Sequence, residues 1–315
     1  MFLTDTIYKK NIKSPLNYIG GKQKILGQIL PLFPAEINCF VDLFTGGCNV
    51  GININAEKII CNDNLLYLID MYNLFKDNSL YLTIQHIESR VSEFELSLTN
   101  EEGYKKLRTL YNKEKNPLDL FVLIAFSFNH QIRFNNSHEF NNPFGKERSS
   151  FNATMKANLE RFIYKLKDSN IEFTCHNFDK FDYSNLTNND FVYCDPPYLI
   201  TTGTYNDGKR GFTGWNENEE RKLLKLLDNL NERNIKFALS NVLEHKGNSN
   251  DILKYWVDKN SDYQISYIDI NYSNSNYQTI VRDKNASMEV LITNYEPTKP
   301  LRQKTLFEEP KVIYA

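Results

Sequence analysis

The tetrapeptide Asp195-Pro196-Pro197-Tyr198 closes an apolar run, FVYC, that reads as a buried strand. Its two consecutive prolines remove two backbone donors and fix the chain, so the carboxylate and the phenol are held at set angles. A plain turn would also use these residue types, but the strand before them favours a rigid site at its carboxyl end. The arrangement suits an amine of low nucleophilicity such as adenine N6, whose lone pair is delocalised into its ring. Asp195 and the backbone carbonyl of Pro196 can accept both amine hydrogens, turn the nitrogen toward tetrahedral geometry and aim its lone pair at an electrophilic methyl group. Tyr198 can stack on the base. A base in a duplex must first leave the stack, at a cost on the order of a few kcal/mol, and an aromatic face offsets part of that cost.

A second group of residues points to a nucleotide-like cofactor. The stretch Asp42 to Gly47, DLFTGG, runs from a buried strand into a small-residue turn that lets the backbone approach a ligand, and NVGININAE after it is expected to be a helix. Taken alone, a tight connection without a ligand fits equally well. Asp63 follows about twenty residues later at the end of the next strand, the spacing at which a carboxylate reaches ribose hydroxyls. An adenosine-containing cofactor is therefore expected.

These residues need a frame to bring them together. CFVDLF, KIICND, IEFTCHN, DFVYC, KFALSN, YQISYIDI and EVLITNY read as strands, and LLYLIDMYNLF, NENEERKLLKLLDNLNERN and DILKYWV read as helices. The alternation predicts a mostly parallel Rossmann-like α/β sheet with an antiparallel last strand, which binds ligands beyond the carboxyl ends of its strands. Residues 78–168 interrupt it with helices and polar loops and are expected to form an inserted, mainly helical domain. That leaves 1–77 and 169–298 for the sheet domain and 299–315 for a tail.

Composition narrows the class without naming it. With 41% hydrophobic and 24% charged residues the 315-residue chain is expected to fold rather than stay disordered. Five widely spaced cysteines without a CxxC pair indicate neither a disulfide framework nor a metal site. No apolar run reaches the roughly 18 residues of a membrane span, and the N-terminus lacks a signal-like apolar stretch, so a cytoplasmic protein is expected. A net charge of −2 announces no nucleic-acid binder, yet basic residues gather at Lys9, Lys10 and Lys13, at Lys105, Lys106 and Arg108, at Lys146 and Arg148, and at Lys209 and Arg210. Each cluster alone is more often a solvated face.

In the order of SPLNYIGGKQKIL, FVDLFTGGCNV, an inserted region and DPPY, residues from about 14 to 295 resemble the Dam-like, D12-class (alpha group) adenine-N6 DNA methyltransferases. The resemblance implies S-adenosylmethionine as cofactor. It places Tyr18, Lys22, Asp42, Phe44, Gly46, Asp63, Phe178 and Asp195 around it, with Lys22 near the methionine carboxylate and Phe178 near the adenine. Leu43 stands where many members have proline, and Cys48 where they have a second glycine. Ser240 and Asn241 in ALSN match a segment near the active site, or else end a strand. NHQIRFNNSHEFNNPFGKER is similar to the family's target-recognition region and implies double-stranded DNA as partner, with Arg133 able to donate twice to guanine and Asn135 to contact adenine or phosphate. QIRFN departs from the LCRYN-like form of GATC-specific members. Lys146, Arg148, Lys209 and Arg210 are the expected phosphate contacts, the last two in a glycine-rich loop expected to close over the base. Gln303, Leu306 and Phe307 resemble a QxxLF peptide that docks on sliding clamps, and a cognate restriction endonuclease is a further expected partner. The alternatives are an RNA or protein amino-methyltransferase and a DNA-binding relative without catalysis.

Overall fold

The computed structural model describes residues 11–201, 214–269 and 287–297. Five strands pair in parallel: β1 (Cys39–Asp42), β2 (Lys58–Asn62), β3 (Ile171–Thr174), β4 (Phe191–Cys194) and β5 (Lys236–His245). All residues of β1 and β4 are buried, because the sheet is covered on both faces, and this is why they read as continuous apolar runs. A two-residue strand β6 (Asn248–Ser249) folds back on β5. β7 (Gln264–Ile268) and β8 (Ser287–Thr293) complete the sheet, and β8 inserts between β5 and β7 antiparallel to both. The order is β3-β2-β1-β4-β5-β8-β7, so the expected mostly parallel sheet with an antiparallel last strand is present.

Successive residues of each strand face opposite sides. Phe40, Ile59, Phe191, Tyr193 and Leu291 enter one core, with α1 (Leu26–Ile29), α2 (Leu66–Asp77), α3 (Leu80–Glu93), α4 (Glu101–Glu114), α5 (Pro117–Phe126) and α6 (Ala153–Lys167). Val41, Val192, Phe237, Val290 and Ile292 enter the other, under α7 (Glu217–Glu232) and α8 (Asp251–Lys259). α5 is buried from Leu118 to Phe126, apolar apart from Asp119, which pairs with Arg90 at 2.9 Å, and α2, α3 and α4 surround it. Asn116 starts it by accepting from the amides of Leu118 (2.9 Å) and Asp119 (3.3 Å). The core of the interrupting helices is thus continuous with one face of the sheet.

Two local expectations need correcting. NVGININAE forms no α-helix but a single 3-10 turn at Gly51–Asn53. The Gly51 amide donates to Asp42 Oδ2 at 3.1 Å instead of entering a helical ladder, and Cys48 takes a left-handed φ of 54°. ALSN ends no strand, because β5 runs on to His245 and places Ser240 and Asn241 inside it. Lys9, Lys10, Lys209, Arg210, Gln303, Leu306 and Phe307 lie outside the described residues.

Candidate active site

The glycine turn after β1 is built by its neighbours. Thr45 N donates to Asn62 O at 2.8 Å, Gly46 N to Asp63 Oδ2 at 3.0 Å, and the Tyr72 hydroxyl to Gly46 O at 2.8 Å. Gly46 has φ +44°, and a Cβ there would lie 2.8 Å from Tyr18 Cε1, so backbone conformation and the Tyr18 ring both demand glycine. Tyr18 packs directly on this turn. Asp42 Oδ2 accepts from Gly51 N and from Thr45 Oγ1, both at 3.1 Å. Burial, then the charge of Asp195, raises its carboxyl to about 7. Asp42 therefore shapes the loop.

Asp63 stands at the end of β2, with Oδ1 accepting from Leu65 N at 2.9 Å. Asn62 beside it ties three strand ends together, donating to Leu43 O and His176 O and accepting from His176 N. Across the turn, Phe44, Phe178 and Trp215 form an aromatic wall with centroids 5.6–5.7 Å apart. Trp215 Nε1 donates to Glu220 at 2.7 Å, and this buried carboxylate also accepts from Asn241 and Asn250. Burial raises the Glu220 carboxyl. An acidic strand end beside an aromatic wall fits an adenosine, and the buried Asn49 Oδ1, without a hydrogen-bond partner among the described residues, is an acceptor suited to an ammonium group.

At the carboxyl end of β4, Asp195 retains 18% side-chain exposure and Lys22 lies against it, Nζ to Oδ1 2.7 Å. Lys22 is buried, hydrogen-bonds Gly20 O at 2.9 Å and stands 3.7 Å from Glu289 on β8. The Tyr198 hydroxyl is 2.9 Å from Glu289 Oε1 and 3.2 Å from Asp195 Oδ1, and the Lys22 ammonium sits 5.0 Å from its ring centroid. Burial raises the Asp195 carboxyl to about 6, with Lys22 opposing it. Pro196 is buried and Pro197 exposed, so the diproline anchors the loop on one side only. A carboxylate, a phenol and an ammonium thus converge at the carboxyl edge of the sheet, across from the glycine turn.

Residues 18–274 match the family model of D12 class N6 adenine-specific DNA methyltransferases. The chain belongs to this family. It is 54% identical over 284 residues to the type II methyltransferase M.FokI of Planomicrobium okeanokoites, a match covering 90% of this chain and 43% of that protein. It is 54% identical over 288 residues to the modification methylase StsI of Streptococcus sanguinis, covering 91% and 44%. A DNA adenine methylase of Escherichia coli K12 is 28% identical over 242 residues, covering 74% and 81%. The chain spans less than half the length of the first two relatives.

In this D12-class chain the expected recognition loop is a framed turn. Phe134 pairs with Phe140 and Ser127 with Phe144 in isolated bridges. Asn135 is consumed by that turn: its Oδ1 accepts from Ser137 N and Glu139 N, and its Nδ2 donates to Glu139 at 2.9 Å. Arg133, Lys146 and Arg148 are exposed. Asn17 Nδ2 donates to Asn129 O at 2.9 Å, which joins this loop to the segment carrying Tyr18 and Lys22. Lys105, by contrast, pairs with Glu101 and Glu102 along α4, a solvated face. Ser240 bonds the Tyr193 hydroxyl at 2.8 Å and supports β4 from β5. Sequence reading missed Glu289, Trp215, Glu220 and Asn62. For Glu289 the signal was a carboxylate inside the apolar run MEVLIT. Trp215 borders the Asn216 cap of α7. Among the described residues no helix is long and apolar enough to cross a membrane.

Proposed function

We propose that this chain transfers a methyl group from S-adenosylmethionine to N6 of an adenine turned out of duplex DNA. The observation that carries the reading is the Lys22–Asp195–Tyr198 cluster, set across the glycine turn from Asp63 and the Phe44–Phe178–Trp215 wall. The cofactor supplies an electrophilic methyl on a sulfonium. Asp63 would accept hydrogen bonds from its ribose hydroxyls, Phe44, Phe178 and Trp215 would flank its adenine, and Tyr18 would pack on it over Gly46. Asp195 and the Pro196 carbonyl accept the two amine hydrogens, and Tyr198 supports the extrahelical base. As the N6 lone pair bonds to the methyl carbon, the carbon–sulfur bond would break with its electron pair left on sulfur as a neutral thioether, and one proton of the now positive amine would pass to Asp195 and on to water. A carboxyl near 6 is ionised at neutral pH and still basic enough to hold that proton in transit.

Residues 78–168 are assigned to target recognition, with Arg133 reading a base and Lys146 and Arg148 holding phosphates. Lys209 and Arg210 are proposed for the same phosphate role, and Gln303, Leu306 and Phe307 for a clamp contact. The test is transfer of labelled methyl from S-adenosylmethionine to duplex DNA, RNA and a glutamine peptide. Duplex DNA alone is expected to be labelled, on adenine N6, and Asp195→Ala to lose the activity by at least about a thousandfold. Normal turnover by Asp195→Ala would defeat the mechanism, and labelled RNA or peptide would replace the substrate.

A further inference from the structure

Glu289 is 3% exposed on the face of β8 that also carries the buried Leu291 and Thr293, a position where an uncharged residue would serve a core better. A register shift between Val242 and Glu244 of β5 adjoins it, the kind of bulge that re-aims a side chain beside a site. Its carboxylate meets the two groups that already hold Asp195. The Tyr198 hydroxyl has one proton and two carboxylates in reach, 2.9 Å to Glu289 and 3.2 Å to Asp195, and the shorter distance is to Glu289. Lys22 reaches Asp195 at 2.7 Å and Glu289 at 3.7 Å.

We propose that Glu289 is a positioning residue for the methyl transfer: it holds the Tyr198 phenol and stands by as the second anion for Lys22, releasing Asp195 to the amine. The inference rests on reading Asp195 as the acceptor of the amine hydrogens. When those hydrogens occupy Asp195, the Lys22 ammonium must keep an anion, because a buried charge is strongly unfavourable without one. Glu289 is that anion. The three groups together carry one net negative charge, which favours the positive charge that builds on the nitrogen as its bond to carbon forms. Asp195 is faced by Lys22 from the N-terminal segment, Glu289 from β8, Tyr198 from its own loop, Asp42 from β1 and Tyr193 from β4.

Glu289→Gln keeps the size and the acceptor for Tyr198 but removes the charge. In protein labelled with carbon-13 at the aspartate carboxyl, the Asp195 resonance, assigned through Asp195→Asn, is expected to titrate at lower pH in Glu289→Gln than in wild type. The acid limb of the kcat profile is expected to move the same way, and kcat to fall roughly tenfold, with KM for DNA within about threefold. An unmoved Asp195 midpoint overturns the proposal, including when kcat falls, since that pattern marks a merely structural role. The titration needs no turnover, so a protein that fails to methylate DNA would refute the proposed function, while the resonance separately decides whether the Glu289 charge acts on Asp195. If the glutamine variant does not fold, Glu289→Asp serves. It keeps the charge but retracts from the phenol, so kcat is expected to fall roughly tenfold with the Asp195 midpoint close to wild type, and an unreduced kcat overturns the proposal.

Discussion

Asp195 meets two opposing demands. In the proposed chemistry it must be ionised to accept amine hydrogens, yet burial raises its carboxyl to about 6, and Lys22 at 2.7 Å opposes that rise. The proposed chemistry therefore predicts that kcat, measured with saturating DNA and cofactor, rises as pH increases through about 6 and then levels off. A profile without an acid limb would remove Asp195 from the role of proton acceptor. Arg133 is the other side chain on which a single change should report cleanly, because it is exposed on a turn that Asn135 braces. Arg133→Ala is expected to weaken binding of a cognate duplex by about 1–3 kcal/mol while scarcely altering a scrambled one. Equal losses in a filter-binding titration would make Arg133 a phosphate contact.

At the scale of elements, the turn between β1 and β2 is where local pattern and tertiary demand diverge. The apolar residues of NVGININAE suggest a helix, but the Asp42 carboxylate captures the Gly51 amide and Asp63 captures that of Gly46. The backbone donors that would have begun a helix are spent on two strand-end carboxylates, and this choice requires long-range contacts that no short window contains. Gly46→Ala combines φ +44° with a 2.8 Å approach to Tyr18. It is expected to destabilise the fold by about 1–3 kcal/mol in urea titrations and to weaken cofactor binding measured by calorimetry, since Tyr18 must move. Wild-type stability would show that the turn relaxes freely. Cys48 already holds φ 54° without being glycine, so the same turn tolerates one strained residue whose sulfur packs 3.8 Å from Cys61.

For the whole molecule, the buried carboxyls set stability against activity. A carboxyl whose folded pKa exceeds its ordinary value binds its proton more tightly when folded. Its contribution to stability is complete below that ordinary value, 3.8 for Asp195 and Asp42, and is lost as pH rises through about 6 and about 7 respectively. Thermal melts of wild type and Asp195→Asn should therefore diverge, with the asparagine variant gaining relative stability between about pH 4 and about pH 6. A constant difference would mean that folding leaves the Asp195 carboxyl unshifted. The site thus gives up stability at the pH where the proposed reaction needs an ionised acceptor.

The strands, their order of appearance and the chemical centre DPPY are legible in the sequence, because a strand buried on both faces must be apolar throughout and a diproline fixes its own backbone. Asp63 and the glycine turn follow from spacing across two successive strands. The partners of Asp195 do not. Lys22 lies near one end of the chain, and Glu289 comes 91 residues after the tyrosine that it bonds. They meet only because β8 enters the sheet antiparallel between β5 and β7. Periodicity records which face of an element is buried; strand order and register decide which charges share the space behind it.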